Sequence, residues 1–161
     1  MLQTSQGNQK LKNTIIFDLD GTLALIDKRR DIATKSNGKL DWDKFFDPAN
    51  IKLDVPNPPV VKMAQVFAED GYNIVIFSGR SDRTKYSTRI WLTNNRIPFQ
   101  KLVMRDSATN HFVPDDILKK DMLDKHVDID DVFLVVDDRD KVVKMWRSLG
   151  LSVFQVAEGD F

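Results

Sequence analysis

Cysteine is absent from all 161 residues, which excludes disulfides, a thiol nucleophile and any Cys-based metal site. Histidine is scarce. His111 and His126 are the only two, they show no ligand spacing, and neither is assigned to catalysis. An excess of one charge is also missing: 24 basic residues balance 24 acidic ones, without the basic surplus that marks many nucleic-acid binders. No apolar run approaches membrane-spanning length, and the polar start Met1-Leu2-Gln3-Thr4-Ser5-Gln6-Gly7 lacks the pattern of a signal peptide. A soluble cytoplasmic protein is the expectation. There is no internal repeat, no low-complexity tract and no G-x-x-x-x-G-K-[ST] phosphate loop. A length of 161 residues fits one domain, and 42% hydrophobic content can fill its core.

What is present concentrates at the ends of apolar runs. Ile15-Ile16-Phe17-Asp18-Leu19-Asp20-Gly21-Thr22 reads as a buried strand that stops in two aspartates, a glycine and a threonine. Two carboxylates one residue apart are costly to bury without compensation, and a divalent cation is the natural one. Gly21 allows a sharp turn and close backbone approach. Thr22 adds a hydroxyl and an N–H for an anion. Alone, such a pattern also fits a turn or a helix cap.

Three more pieces follow in order. Asn73 to Phe77 is a second strand ending in Ser78-Gly79-Arg80, a hydroxyl, a pliant backbone and a guanidinium suited to phosphate. Pro114-Asp115-Asp116-Ile117-Leu118-Lys119-Lys120 opens a helix in which Asp115 and Lys119, four apart, share a face and can pair. Read plainly, this is a surface ion pair of little worth; read as part of the site, Lys119 is a fixed positive charge held in place by Asp115, whereas Lys120 lies on a different face, in solvent. Val132 to Val136 is a further strand, ending in Asp137-Asp138-Arg139. This second acidic pair repeats the problem of the first and has the same solution, one metal shared by both.

Five apolar runs read as strands, at about 14–19, 73–77, 101–104, 132–136 and 152–156. Helices fit between them at 59–70, 82–95, 115–126 and 139–149, the second with Tyr86, Ile90, Trp91 and Asn94 along one side. This alternation predicts parallel crossovers and a three-layer, Rossmann-like α/β domain over 14–161, preceded by a flexible segment 1–13. Ligands in such sheets bind beyond the carboxyl ends of the strands, and all four motifs fall at strand ends or at an adjacent helix start. An insertion at about 27–58 carries Trp42, Phe45 and Phe46, which either stack on a base or anchor the loop.

The ordered set of DxDGT, Ser, Lys and DD resembles the haloacid dehalogenase (HAD) superfamily of phosphohydrolases over residues 14 to 161. IFDLDGTLA with Arg29, then FSGR, DDILK, VDDRDKVVKMWRSLG and QVAEGDF are similar to the 3′-phosphatase domains of bacteriophage polynucleotide kinase/phosphatases. The missing phosphate loop leaves the kinase half out. The resemblance implies an HAD core with a small cap at 27–58, and a phosphomonoesterase acting through an aspartyl-phosphate. It implies Asp18 as nucleophile and Asp20 as general acid, with its carboxyl protonated when the ester binds. Mg²⁺ would be held by the Asp18 carboxylate, the Asp20 main-chain carbonyl and Asp138, with Asp137 in support. Thr22, Ser78, Gly79 and Lys119 would hold phosphoryl oxygens, Arg29 and Arg80 would contact substrate or phosphate, and Asp115 would orient Lys119. The implied substrates are 3′-phosphorylated DNA or RNA ends or nucleotides, with a separate kinase or ligase as a possible partner. Phosphatase action on mononucleotides or other small esters is the alternative. A non-catalytic phosphate-binding module is disfavoured, because a decayed enzyme would be expected to have lost one of Asp18, Asp20, Ser78, Lys119 and Asp138.

Overall fold

The computed structural model describes residues 10–109 and 112–161. Five strands, β1 (Thr14–Asp18), β4 (Asn73–Ser81), β5 (Lys101–Arg105), β6 (Val132–Asp137) and β7 (Val153–Gln155), pair in parallel in the order β5-β4-β1-β6-β7. Both faces are covered, so the strands read as continuous apolar runs instead of alternating ones. Ile15, Phe17, Ile74 and Ile76 pack with Val60, Ala64 and Leu92 on one side. Ile16, Val75, Phe77 and Val135 pack with Leu118, Met122, Val142 and Trp146 on the other. The first side is covered by α4 (Pro58–Glu69) and α5 (Lys85–Asn94), the second by α6 (Asp115–His126) and α7 (Asp140–Ser148).

Strand alternation has a direct consequence for the site. Asp18 shares the parity of Ile16, so its side chain points to the α6–α7 face. At the same end of the sheet, the β4–β5 register slips between Ser78 and Ser81, and Gly79-Arg80 bulges out over the strand end.

Two sequence expectations need correction here. The expected helix over 82–95 is a 3₁₀ turn at Asp82–Thr84 followed by α5, and it buries Thr88, Trp91 and Leu92. Tyr86 and Ile90 lie largely in solvent, because Trp91 and Thr88 are drawn toward buried polar partners near β4. Residues 1–9 of the expected flexible segment, and His111, lie outside the described residues. Residues 10–13, however, are tethered: Lys10 pairs with Asp131 at 2.8 Å, and the Asn13 N–H donates to the Asp131 carbonyl at 3.0 Å.

The insertion holds α1 (Asp27–Ala33), α2 (Trp42–Phe45) and α3 (Pro48–Ile51), and the short antiparallel pair β2 (Ala24–Leu25) and β3 (Val55–Pro56) closes its base. Asp41 and Asp47 cap α2 and α3, accepting from the Lys44 and Ala49 N–H groups. Among the described residues, no helix is long and apolar enough to cross a membrane.

Candidate active site

Asp18, at the end of the central strand, is buried and takes two donors: Lys119 Nζ on Oδ1 at 2.7 Å and Thr22 Oγ1 on Oδ2 at 2.9 Å. Lys119 reaches it from α6, and also donates to Asp137 Oδ2 at 2.8 Å. Asp137 is held from all sides. Trp146 Nε1 donates to its Oδ2 at 3.2 Å, and the N–H groups of Asp138 and Arg139 donate to its Oδ1 at 2.9 and 3.4 Å. Asp138 takes a long contact from Thr22 Oγ1 at 3.5 Å.

Burial pushes the Asp18 carboxyl well above the usual carboxylate range; Lys119 opposes the rise, while Asp137 and Asp138 add to it. Asp138 is pushed up to about 6 by burial and by the neighbouring Asp137, against the pull of Lys119. Burial alone would lower Lys119, but Asp137 and Asp18 outweigh it and raise the ammonium above its ordinary value. Three buried carboxylates therefore face one ammonium. Ligand atoms of Asp18, Asp137 and Asp138 lie within 4.8 Å of one another, and with all three ionised the single ammonium leaves two negative charges that a dication would balance. Hard oxygen donors in this arrangement fit Mg²⁺. Asp137 is occupied by protein donors, which leaves Asp18 and Asp138 as the freer carboxylates. The Asp20 side chain lies apart from this trio, so only its main chain is available to the ion.

Gly21 explains how the two acidic strand ends come so close. Its φ is +87°, and a Cβ there would stand 2.1 Å from Asp138 Oδ2. Gly21→Ala is therefore expected to lower turnover by at least on the order of tenfold, through displacement of Asp138. Kinetics on a protein shown by thermal melting to remain folded would check this, and near-normal turnover would count against the close packing.

The second carboxylate of the motif sits in different surroundings. Asp20 Oδ1 accepts from Arg29 Nη2 at 2.8 Å, from Arg80 Nε at 2.9 Å and from Arg80 Nη2. Both guanidiniums also bind Asp54, which approaches from the insertion: Arg29 Nε at 2.9 Å, Arg29 Nη2 at 3.0 Å and Arg80 Nη2 at 2.7 Å. Arg29, Arg80 and Asp54 are closed to solvent, and the Asp20 side chain is 23% exposed. Burial would raise the Asp20 carboxyl, but Arg80 and Arg29 outweigh it and hold it below the usual range. Asp54 moves the other way, raised by burial against Arg80 and Arg29.

Two expectations change accordingly. Arg29 and Arg80 do not line the cleft as substrate contacts; they are buried and hold Asp20, because two internal carboxylates satisfy them more completely than solvent would. Between them the Asp20 carboxyl is ionised at neutral pH in the resting site. Asp115 does not orient Lys119: its oxygens accept from Arg105 Nη2 and Arg139 Nη1, each at 2.6 Å. Lys119 is drawn inward by Asp18 and Asp137 instead, since an i, i+4 surface pair is worth little beside two buried carboxylates.

Asp115 has a different place. Arg105 also donates to the Gly79 carbonyl at 3.0 Å, and a Cβ at Gly79 would stand 3.0 Å from Asp115 Oδ1, so Asp115 packs beneath the Ser78-Gly79 bulge. Ser78 is buried, and its Oγ accepts from the Arg80 N–H at 3.2 Å. Asp54, Arg105, Arg139 and Trp146 are site residues that sequence reasoning missed. The one available signal was that Arg29 and Arg80 together need more than one acid.

Asp18, Asp20, Gly79, Lys119 and Asp138 line a cleft of about 1340 Å³ between the sheet end and the insertion. Residues 12–161 match the family model described as the polynucleotide kinase PNKP phosphatase domain. Among solved structures, a chain of the Pnkp1/Rnl/Hen1 complex is 31% identical with a TM-score of 0.76, over 100% of this chain and 51% of that one. A chain of the Pnkp1/Rnl/Hen1 RNA repair complex is 33% identical with a TM-score of 0.76, over 94% and 44%. The chain thus spans about half the length of either. A predicted phosphatase from Clostridium acetobutylicum shares the fold at 14% identity and a TM-score of 0.68, over 90% and 84% of the two chains. A match that runs from just before β1 to the last residue, across every motif described above, shows that the chain belongs to the PNKP phosphatase-domain family of the HAD superfamily and is a phosphoric monoester hydrolase.

Proposed function

We propose that the protein removes 3′-phosphates from nucleic-acid ends in a Mg²⁺-dependent reaction, as an end-healing step in RNA or DNA repair. The observation that carries this is the buried trio of Asp18, Asp137 and Asp138 against a single Lys119 at the carboxyl end of the sheet, in a chain that matches the PNKP phosphatase-domain model. The similarity to a chain of an RNA repair complex supports a nucleic-acid substrate. A kinase and a ligase supplied outside these residues are the corresponding partners.

In this reading Asp18 Oδ attacks phosphorus, and the bond from phosphorus to the ester oxygen breaks as the aspartyl-phosphate forms. Lys119 and Thr22 steady the nucleophile, and with Ser78 and the Gly79 backbone they hold the phosphoryl oxygens. Asp18, Asp138 and the Asp20 carbonyl, with Asp137 in support, would hold Mg²⁺, which would supply the charge neutralisation that phosphoryl transfer needs. Asp20 protonates the leaving oxygen and then takes a proton from the water that cleaves the acyl phosphate. Its resting ionised form is ready for the second task. The first follows when the negative phosphoryl group arrives and offsets Arg29 and Arg80, which raises the Asp20 carboxyl.

Phosphate release from a 3′-phosphorylated oligonucleotide, with and without Mg²⁺, tests the proposal beside the 5′-phosphorylated oligomer and a 3′-mononucleotide. Metal-dependent release confined to 3′ ends is expected. Turnover of small nucleotides alone would move the enzyme to metabolite hydrolysis.

A further inference from the structure

Most of the insertion's aromatic weight serves packing, with one exception. Phe45 is buried, its carbonyl accepts from Arg29 Nη1 at 3.1 Å, and the Arg29 guanidinium lies 4.4 Å from its ring centre. Phe45 thus anchors α2 on the domain. Trp42, one turn earlier, is 59% exposed and faces the cleft that holds Asp18 and Asp20. Phe46 backs it, with ring centres 5.9 Å apart and planes 18° from parallel, and Phe45 meets its edge at 5.7 Å. The indole is therefore braced, yet one large apolar face remains wet in a cleft edged by charge. Anchoring α2 does not require this, because Phe45 already does it.

We infer that Trp42 is a stacking platform for the base of the terminal 3′-phosphorylated nucleotide. This rests on the 3′-end reading above. Aromatic side chains beside basic groups are the usual means of holding single-stranded ends, because every base offers a π-face. Arg83 lines the same cleft, exposed and without a carboxylate partner among the described residues, and suits the phosphate on the 5′ side of that nucleotide. The cleft volume of about 1340 Å³ accommodates a nucleoside as well as the ester. The platform is also wired to the chemistry. From Trp42 the contacts run through Phe45 to Arg29, whose Nη2 binds Asp20 at 2.8 Å, so a seated base bears on the group that protonates the leaving oxygen.

The test compares kcat/KM on two 3′-phosphorylated oligonucleotides, one ending in an intact nucleotide and one in its tetrahydrofuran abasic analogue, for wild type, W42A and W42F. The ratio between substrates is insensitive to how much protein is folded. Wild type should favour the intact end by roughly tenfold, W42A should bring the ratio close to one, and W42F should keep part of the preference. A wild-type ratio near one, or a preference that W42A retains, overturns the inference while the 3′-end reading stands. Absence of release from both oligonucleotides overturns that reading and this inference with it.

Discussion

Asp18→Asn is expected to lower turnover by roughly three orders of magnitude or more, with no loss of thermal stability. The two halves of this result have separate causes. The amide cannot form an acyl phosphate, so only the positioning by the remaining groups survives. Stability behaves differently because the native carboxylate is held at a cost. Its folded pKa is raised, so any stabilisation it gives belongs to low pH and is lost as pH rises; at neutral pH the charge opposes folding. An amide of the same shape relieves the repulsion from Asp137 and Asp138 and still accepts from Lys119 Nζ, which keeps its bond to Asp137. Steady-state kinetics and a thermal melt on the same preparation check both halves. Retention of more than a few per cent of activity would sink the covalent scheme.

Asp54→Asn leaves one carboxylate between two buried guanidiniums. Because burial already holds the Asp54 carboxyl above its ordinary value in the fold, losing its charge should cost little stability at neutral pH, as for Asp18. The effect on chemistry is indirect and carries a signature. Arg29 and Arg80, with only Asp20 left to neutralise them, hold that carboxyl still lower, so less of it is protonated and available to the leaving oxygen. Esters with a poor leaving group, such as a nucleotide 3′-phosphate, should therefore slow by on the order of 100-fold. An aryl phosphate, whose leaving group needs little protonation, should slow much less. Equal losses on both substrates would mean that Asp54 supports only the fold.

The strands and their order along the chain were legible because a parallel sheet covered on both faces requires unbroken apolar runs, and three of the five runs broke at a polar motif. Local spacing misled where tertiary partners were stronger. Asp115 and Lys119 have ideal helical spacing, but Lys119 answers to Asp18 and Asp137, and Asp115 to Arg105 and Arg139. Tyr86 and Ile90 mark a plausible apolar side of α5, yet Thr88 and Trp91 are buried, because Thr88 meets Arg80 and the Trp91 indole donates to the Asp54 carbonyl at 2.9 Å. Asp54 itself lay in Leu53-Asp54-Val55-Pro56, which matches no motif. Its role exists only once the insertion folds back on β1 and β4.

The bonds that make the site are also among the most remote along the chain. Lys119 meets Asp18 across 101 residues, Thr22 meets Asp138 across 116, and Arg80 meets Asp20 across 60. Closing such loops is slow, and little rewards the chain until the sheet has assembled. Catalysis is thus among the last properties a refolding chain regains, well after its helices form. Recovered turnover reports completion of the whole domain, β6 included, and not the folding of any one part.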